Sequence, residues 1–160
     1  MTPTTKQRWK PAATVAAVIE RDGRFLLVEE ETSEGLKLNN PAGHLDPGES
    51  PVEGVIRETL EETAHTFEPE AFLGVFMSRS KRETYLRMAF CGRVGEPIEG
   101  WVLDDGIART LWMTPDELRA CPERHRTPLL MACITAYLDG VRLPLDVVHV
   151  DASIRGKSAP

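Results

Sequence analysis

The chain has only three cysteines, Cys91, Cys121 and Cys133, widely spaced and without a CxxC pair. A disulfide framework or a cysteine-ligated zinc site is therefore not expected, and buried free thiols in a reducing cytoplasm fit best. Aromatics are scarce at 6%, and no apolar run approaches the roughly 20 residues of a membrane-spanning helix. The polar stretch Met1–Lys10 has no apolar core of a secretory signal. Positive charge is short as well: 19 Lys and Arg against 25 Asp and Glu give a formal charge of −6. That balance argues against a nucleic-acid binder that works by neutralising a row of phosphates, yet it leaves room for an anionic metabolite accompanied by a metal ion. A covalent nucleophile is also missing, because Ser50, Ser78 and Ser80 lack a GxSxG setting or an ordered histidine partner.

What is present is an ordinary globular composition, 41% hydrophobic and 28% charged. A length of 160 residues suits one domain. Loose ends are expected at 1–8 and 151–160, with a single domain over 9–150 between them. Strands are expected at 12–20 and 24–30, joined by the hairpin turn Asp22-Gly23. Further strands are expected at 36–38, 71–79, 85–94 and 109–113. Pro41, Gly43, Pro47 and Gly48 punctuate a loop over 39–48. Ser50, Pro51 and Glu53 then open a helix as a capping box with proline at the first helical position. That helix should reach about Ala64. Thr114, Pro115 and Glu117 repeat the device for a short helix, and a last helix over 126–138 ends at Gly140. Strands mixed with helices in this order predict an α/β or α+β sandwich.

At about 100° per residue, Val52, Val55, Ile56, Thr59 and Thr63 share one side of the first long helix. Glu58, Glu61 and Glu62 share roughly the opposite side, within one turn of each other. A solvated acidic face is the ordinary meaning of such a trio. Here the three acids crowd a helix C-terminus, where the macrodipole prefers cations. A divalent cation reverses that penalty, and hard carboxylate oxygens are the ligands Mg2+ favours.

From Gly43 the sequence runs GHLDPGESPVEGVIRETLEETAH. The spacing of Gly43, Glu49, Arg57, Glu58, Glu61 and Glu62 resembles the Nudix box, a coincidence of about one in 10^5 chains at ordinary residue frequencies. Thr59, Ala64 and His65 depart from the family pattern, which has aliphatic, glycine and aliphatic residues there. Over about 9–150 the chain also resembles the NudJ-type phosphatases of that family, in TVAAVIERDGRFLLVEEE, NNPAGHL, YLRMAF and TPLLMACITAYLDGVRLPLD. Leu38 stands where that pattern has tryptophan.

The resemblance implies a mixed β-sheet sandwiched between helices, and Mg2+-dependent hydrolysis of diphosphate bonds, with Mn2+ as a possible substitute. Implied substrates are nucleoside tri- and diphosphates and thiamine-pathway diphosphates such as hydroxymethylpyrimidine pyrophosphate. Glu61 and Glu62 would ligate the metal, Glu58 would be a ligand or the base for water, and the Ala42 carbonyl would add a ligand. Glu49 and Arg57 would pair and hold the loop to the helix, as a bidentate fork does. Asp105, beside Asp104, is a further candidate ligand from the region where the family often supplies one. Asn39, His44, Arg82 and Arg87 are candidates for substrate contact. Arg79, Lys81, Arg82 and Arg87 read as one basic cluster near a hairpin, and Trp112 as core. The expected partner is a small diphosphate, not nucleic acid or membrane, with a monomer or homodimer both open. The competing function is a non-catalytic Nudix-like sensor of a phosphorylated ligand; such domains tend to lose box carboxylates, and all four are present here.

Overall fold

The computed structural model describes residues 7–156. The expectations for 1–6 and 157–160 lie outside the described residues.

Strand β1 (Ala12–Arg21) turns into β2 (Arg24–Thr32) through Asp22 and Gly23 at φ 52° and 75°. Two successive left-handed residues give the hairpin turn whose twist matches its strands. There follow β3 (Gly35–Asn39), β4 (Ala42–His44), α1 (Pro51–Thr63), β5 (Phe67–Arg79), β6 (Thr84–Val94), β7 (Ile107–Met113), α2 (Pro115–Arg119) and α3 (Leu129–Leu138). Seven strands form one mixed sheet. One wing runs β4-β1-β6-β5, with β1 and β6 parallel. The other wing flanks β2 with β3 and β7, and the β1–β2 hairpin joins the two.

Alternation along the central strands makes two cores. Val15, Ala17, Ile19, Leu26 and Phe90 pack with Val55 of α1 on one face. Val18, Phe25, Leu27, Ala89 and Cys91 pack with Leu130, Cys133 and Ile134 of α3 on the other. The sheet is therefore sandwiched between helices. Cys91 and Cys133 are buried free thiols, and Cys121 is half-buried. No helix among the described residues is long and apolar enough to cross a membrane.

The structure departs from the sequence-based expectation in five places. The three-residue β4 forms inside the segment expected to be a loop, because β1 offers it a free edge at Thr14–Ala16. Strand β5 starts at Phe67, four residues early, and absorbs Pro69 beside a register shift. Helix α3 starts at Leu129 rather than Arg126, since the Arg126 amide donates to the Leu38 carbonyl at 2.9 Å instead. Residues 152–155, expected to be loose, make a 3-10 turn capped by Asp151, and Arg155 reaches Glu53 of α1 at 2.6 Å. Finally, Trp112 is half-buried rather than enclosed, with Arg21 over its ring at 5.0 Å.

Helix α1 carries the residues that matter most. Ser50 and Glu53 form the reciprocal capping box, at 3.1 and 2.8 Å. Thr59 and Thr63 lie fully inside and return their hydroxyls to the Val55 and Thr59 carbonyls at 2.7 and 2.6 Å, so they pack as apolar residues do. Glu58 and Glu62 are also buried, so they do not form the solvated acidic face that is the ordinary meaning of such a trio. On β4, Ala42 and Gly43 meet the carboxylates of Glu62 and Glu58, while β1 and β5 pack on the apolar side of the helix through Val15, Phe67 and Phe72 against Val55.

Candidate active site

Arg57 organises the approach to α1. Its guanidinium grips Glu49 through two bonds of 2.9 and 2.6 Å and takes the His44 carbonyl at 3.0 Å. Its remaining nitrogen reaches Glu58 at 2.8 Å and Glu61 at 3.0 Å. One planar fork thereby joins the loop, the cap region and two carboxylates. The Glu49 bonds drive the Arg57 charge further above its ordinary range, and Arg57 in turn holds the Glu49 carboxyl below the usual carboxylate range.

Glu58 lies against Gly43 of β4, so closely that a Cβ there would fall on its carboxylate. Oxygens of Glu58, Glu61 and Asp104 lie within 4.8 Å of one another. Burial raises the Glu58 carboxyl, Arg57 opposes this, and Glu61 and Asp104 add to the rise by repulsion. Burial pushes Glu62 up to about 9, against a bond of 2.9 Å from the Ala42 amide and with repulsion from Glu30, Glu58 and Asp104. Converging hard oxygens that raise one another's proton affinity are a donor set suited to a divalent cation.

Two of the residues expected at the metal stand apart from this carboxylate group. Asp104, not Asp105, joins the carboxylate group, because the Asp104 amide donates to the Glu61 carbonyl at 3.1 Å and ties that loop to α1. Asp105 instead lines the adjoining cleft. Glu62 stands beside the group rather than within it, with one oxygen held by the Ala42 amide of β4.

The cleft holds about 1240 Å³ and extends from Glu58 and Glu62 across the sheet to α3. The four residues proposed for substrate contact all line it. Asn39 is buried, His44 is exposed with its ring 6.3 Å from that of Tyr85, and Arg82 is exposed in the β5–β6 turn. Arg87 is buried, which separates it from the exposed Arg79, Lys81 and Arg82 with which the sequence groups it. Its strand position on β6 carries it under the sheet surface, while the other three sit at the turn. Thr14 and Tyr85 also line this region, and Asn40, which the sequence offers with Asn39 as a reader of a ring edge, accepts from Arg87 at 3.3 Å. Only strand pairing brings Thr14 and Tyr85 there, so little in the sequence could have singled these two out.

A NUDIX domain model matches residues 9–132. Phosphatase NudJ of Escherichia coli strain K12 is 32% identical over 141 residues, which covers 88% of this chain and 92% of that protein. A NUDIX hydrolase from Nitrosomonas europaea superposes with a TM-score of 0.85 at 48% identity, covering 89% of this chain and 98% of that one. A MutT protein from Methanosarcina mazei Go1, at 24% identity and a TM-score of 0.68 over 85% of this chain and all of that one, shares the fold.

Proposed function

This chain belongs to the Nudix family and is a hydrolase of phosphoric anhydrides, and from that premise we propose that it cleaves the diphosphate bond of small phosphorylated metabolites with the help of Mg2+. Nucleoside tri- and diphosphates and thiamine-pathway diphosphates such as hydroxymethylpyrimidine pyrophosphate are the proposed substrates. The observation that carries the reading is the convergence of Glu58, Glu61 and Asp104 within 4.8 Å, with Glu62 beside them at one end of the cleft.

Glu58, Glu61 and Asp104 would hold the cation, with Glu62 and the Ala42 carbonyl as further donors and Mn2+ as a possible substitute. Such a cation screens the charge of the diphosphate and acidifies water. The chain's own residues supply position and proton transfer. Glu58 gives one oxygen to Arg57 at 2.8 Å, which leaves Oε2 to accept a proton from the attacking water. Arg57 fixes that carboxylate relative to Glu49 and the loop, so a small displacement of any of the three misaligns the base. No covalent intermediate is required: water oxygen bonds to phosphorus as the bridging P–O bond breaks.

The test is turnover. Purified protein with Mg2+ is offered nucleoside tri- and diphosphates, thiamine diphosphate and hydroxymethylpyrimidine pyrophosphate, and released phosphate is analysed. Glu61→Gln, Glu62→Gln and Asp104→Asn are each expected to lose on the order of 10- to 100-fold in activity while remaining folded. Absence of turnover on every substrate would favour a ligand sensor. Full turnover in all three variants would overturn the metal assignment.

A further inference from the structure

Among the described residues, two buried side-chain polar atoms have no hydrogen-bond partner: Thr14 Oγ1 and Arg87 Nε. They belong to facing residues, because Thr14 of β1 pairs in register with Arg87 of β6. Both residues line the cleft. Buried polar groups are nearly always satisfied, so two adjacent orphans mark a place built for something other than protein.

The surroundings say what that something is. Arg87 is a buried cation, only 6% exposed, with no carboxylate at ion-pair distance among the described residues; the Cys133 thiol of α3 lies beside it, and Glu30, farther off, is paired with Arg126 at 2.6 Å. Its terminal nitrogens donate to two neutral carboxamide oxygens, Asn40 and Asn39, both at 3.3 Å. Asn39 passes its own amide on to Glu30 at 3.3 Å. Val15 and Met88, the chain neighbours of Thr14 and Arg87, pack in the α1-side core. Strand alternation therefore turns Thr14 and Arg87 to the opposite face, away from the core under α1. His44 pairs with Thr14 across β4, and Tyr85 lies two residues from Arg87 on the same face of β6. Their rings stand 6.3 Å apart and both line the cleft.

We propose that Arg87 and Thr14, beside the rings of His44 and Tyr85, form a specificity subsite that reads the hydrogen-bond acceptors of a flat heterocycle on the substrate, and not its phosphates. The inference rests on the diphosphate-hydrolase reading and gives its organic end. A planar fork of donors matches adjacent ring nitrogen and carbonyl acceptors, and a hydroxyl can donate or accept as the ring requires. Phosphates have exposed partners elsewhere in the cleft, Arg79, Lys81 and Arg82, whereas the burial of Arg87 among carboxamides suits a neutral acceptor. The aromatic pair offers a wall against which a flat ring lies.

Binding of methylene-bridged diphosphates, whose bridge cannot be hydrolysed, tests this without turnover. Calorimetry with Mg2+ would compare the uridine and adenosine compounds with an ethyl compound that has no ring. Wild type should prefer at least one ring compound over the ethyl one. Arg87→Met should shrink that preference roughly 10- to 100-fold, because a buried polar site rejects a ligand it can no longer pair with. Arg87→Lys keeps the charge but loses the fork and should shrink it too. Thr14→Val, nearly isosteric, should shrink it severalfold, and it serves if the Arg87 variants fail to fold. Equal wild-type affinity for ring and ethyl compounds would overturn the proposal. So would an Arg87→Met variant that weakens both by the same factor, the pattern of a phosphate contact. Loss of hydrolysis is read separately by turnover, so the two readings fail independently.

Discussion

A Cβ on Gly43 would land on the Glu58 carboxylate, whereas Ala64 already carries a Cβ in a conformation that suits glycine. These two residues make opposite predictions. At Gly43 the obstacle to alanine is the far end of a flexible side chain, so the strand persists and Glu58 moves. Gly43→Ala should leave the melting temperature nearly unchanged while turnover falls by about 100-fold, as expected when a reacting group is displaced by roughly 1 Å. A parallel fall in both would mean that Gly43 serves the fold and not the site. Ala64 ends α1 at φ 63°, ψ 10°, in the left-handed region. A non-glycine residue there costs about 1–2 kcal/mol, and the extra chain entropy of glycine returns part of the gain. Ala64→Gly should therefore stabilise the protein by roughly 1 kcal/mol and raise the melting temperature by about 2–4 °C with activity kept. Unchanged or lowered stability on thermal denaturation would show that the strain is relieved elsewhere.

At the scale of elements, the exit of α1 is a second unusual feature. The Ala64 carbonyl accepts from Ile98 at 2.8 Å, and His65 is buried with its ring edge-on to Trp112 at 6.4 Å. Burial lowers the His65 pKa from its ordinary 6.5, opposed by a bond to the Thr63 carbonyl. The folded state thus binds a proton less readily than the unfolded state. Its stability contribution is intact above pH 6.5 and is lost as pH falls from there through the depressed folded value. Urea denaturation of the wild type should show this loss between pH 7.5 and 5.5, and His65→Leu should flatten that limb. An equal slope in the variant would assign the loss to other groups. The same helix shows what could be read in advance. Its capping box and the apolar phase of Val55, Thr59 and Thr63 are local, so Ser50, Pro51 and Glu53 announce them. The burial of Glu58 and Glu62 is not local: helical phase gives a direction but not what fills it, and here a three-residue strand fills it. Asp104 was equally hidden next to Asp105, because the choice between them rests on one amide bond to the Glu61 carbonyl. The inward turn of Arg87 depends on its register with Thr14, which no spacing along the chain reveals.

At the scale of the whole molecule, a chain of formal charge −6 gathers Glu58, Glu61 and Asp104 in one group, and Glu58 and Glu62 line one end of its cleft. Arg57 neutralises part of this, yet burial and mutual repulsion still raise the Glu58 and Glu62 carboxyls. The folded state therefore carries an electrostatic cost that a divalent cation would relieve. Mg2+ bound to the folded state alone, at 100 times its Kd, stabilises by about 2.7 kcal/mol. For a chain of 160 residues that corresponds to a rise in melting temperature of roughly 5–10 °C. Sodium chloride at equal ionic strength should give much less, since screening acts weakly on buried groups. Asp104→Asn removes one repelling charge and one donor together. It should melt slightly above the wild type in chelator and respond less to Mg2+. A variant that kept the full Mg2+ response would place the cation elsewhere. A variant less stable than the wild type in chelator would mean that Asp104 serves its loop more than it burdens the site.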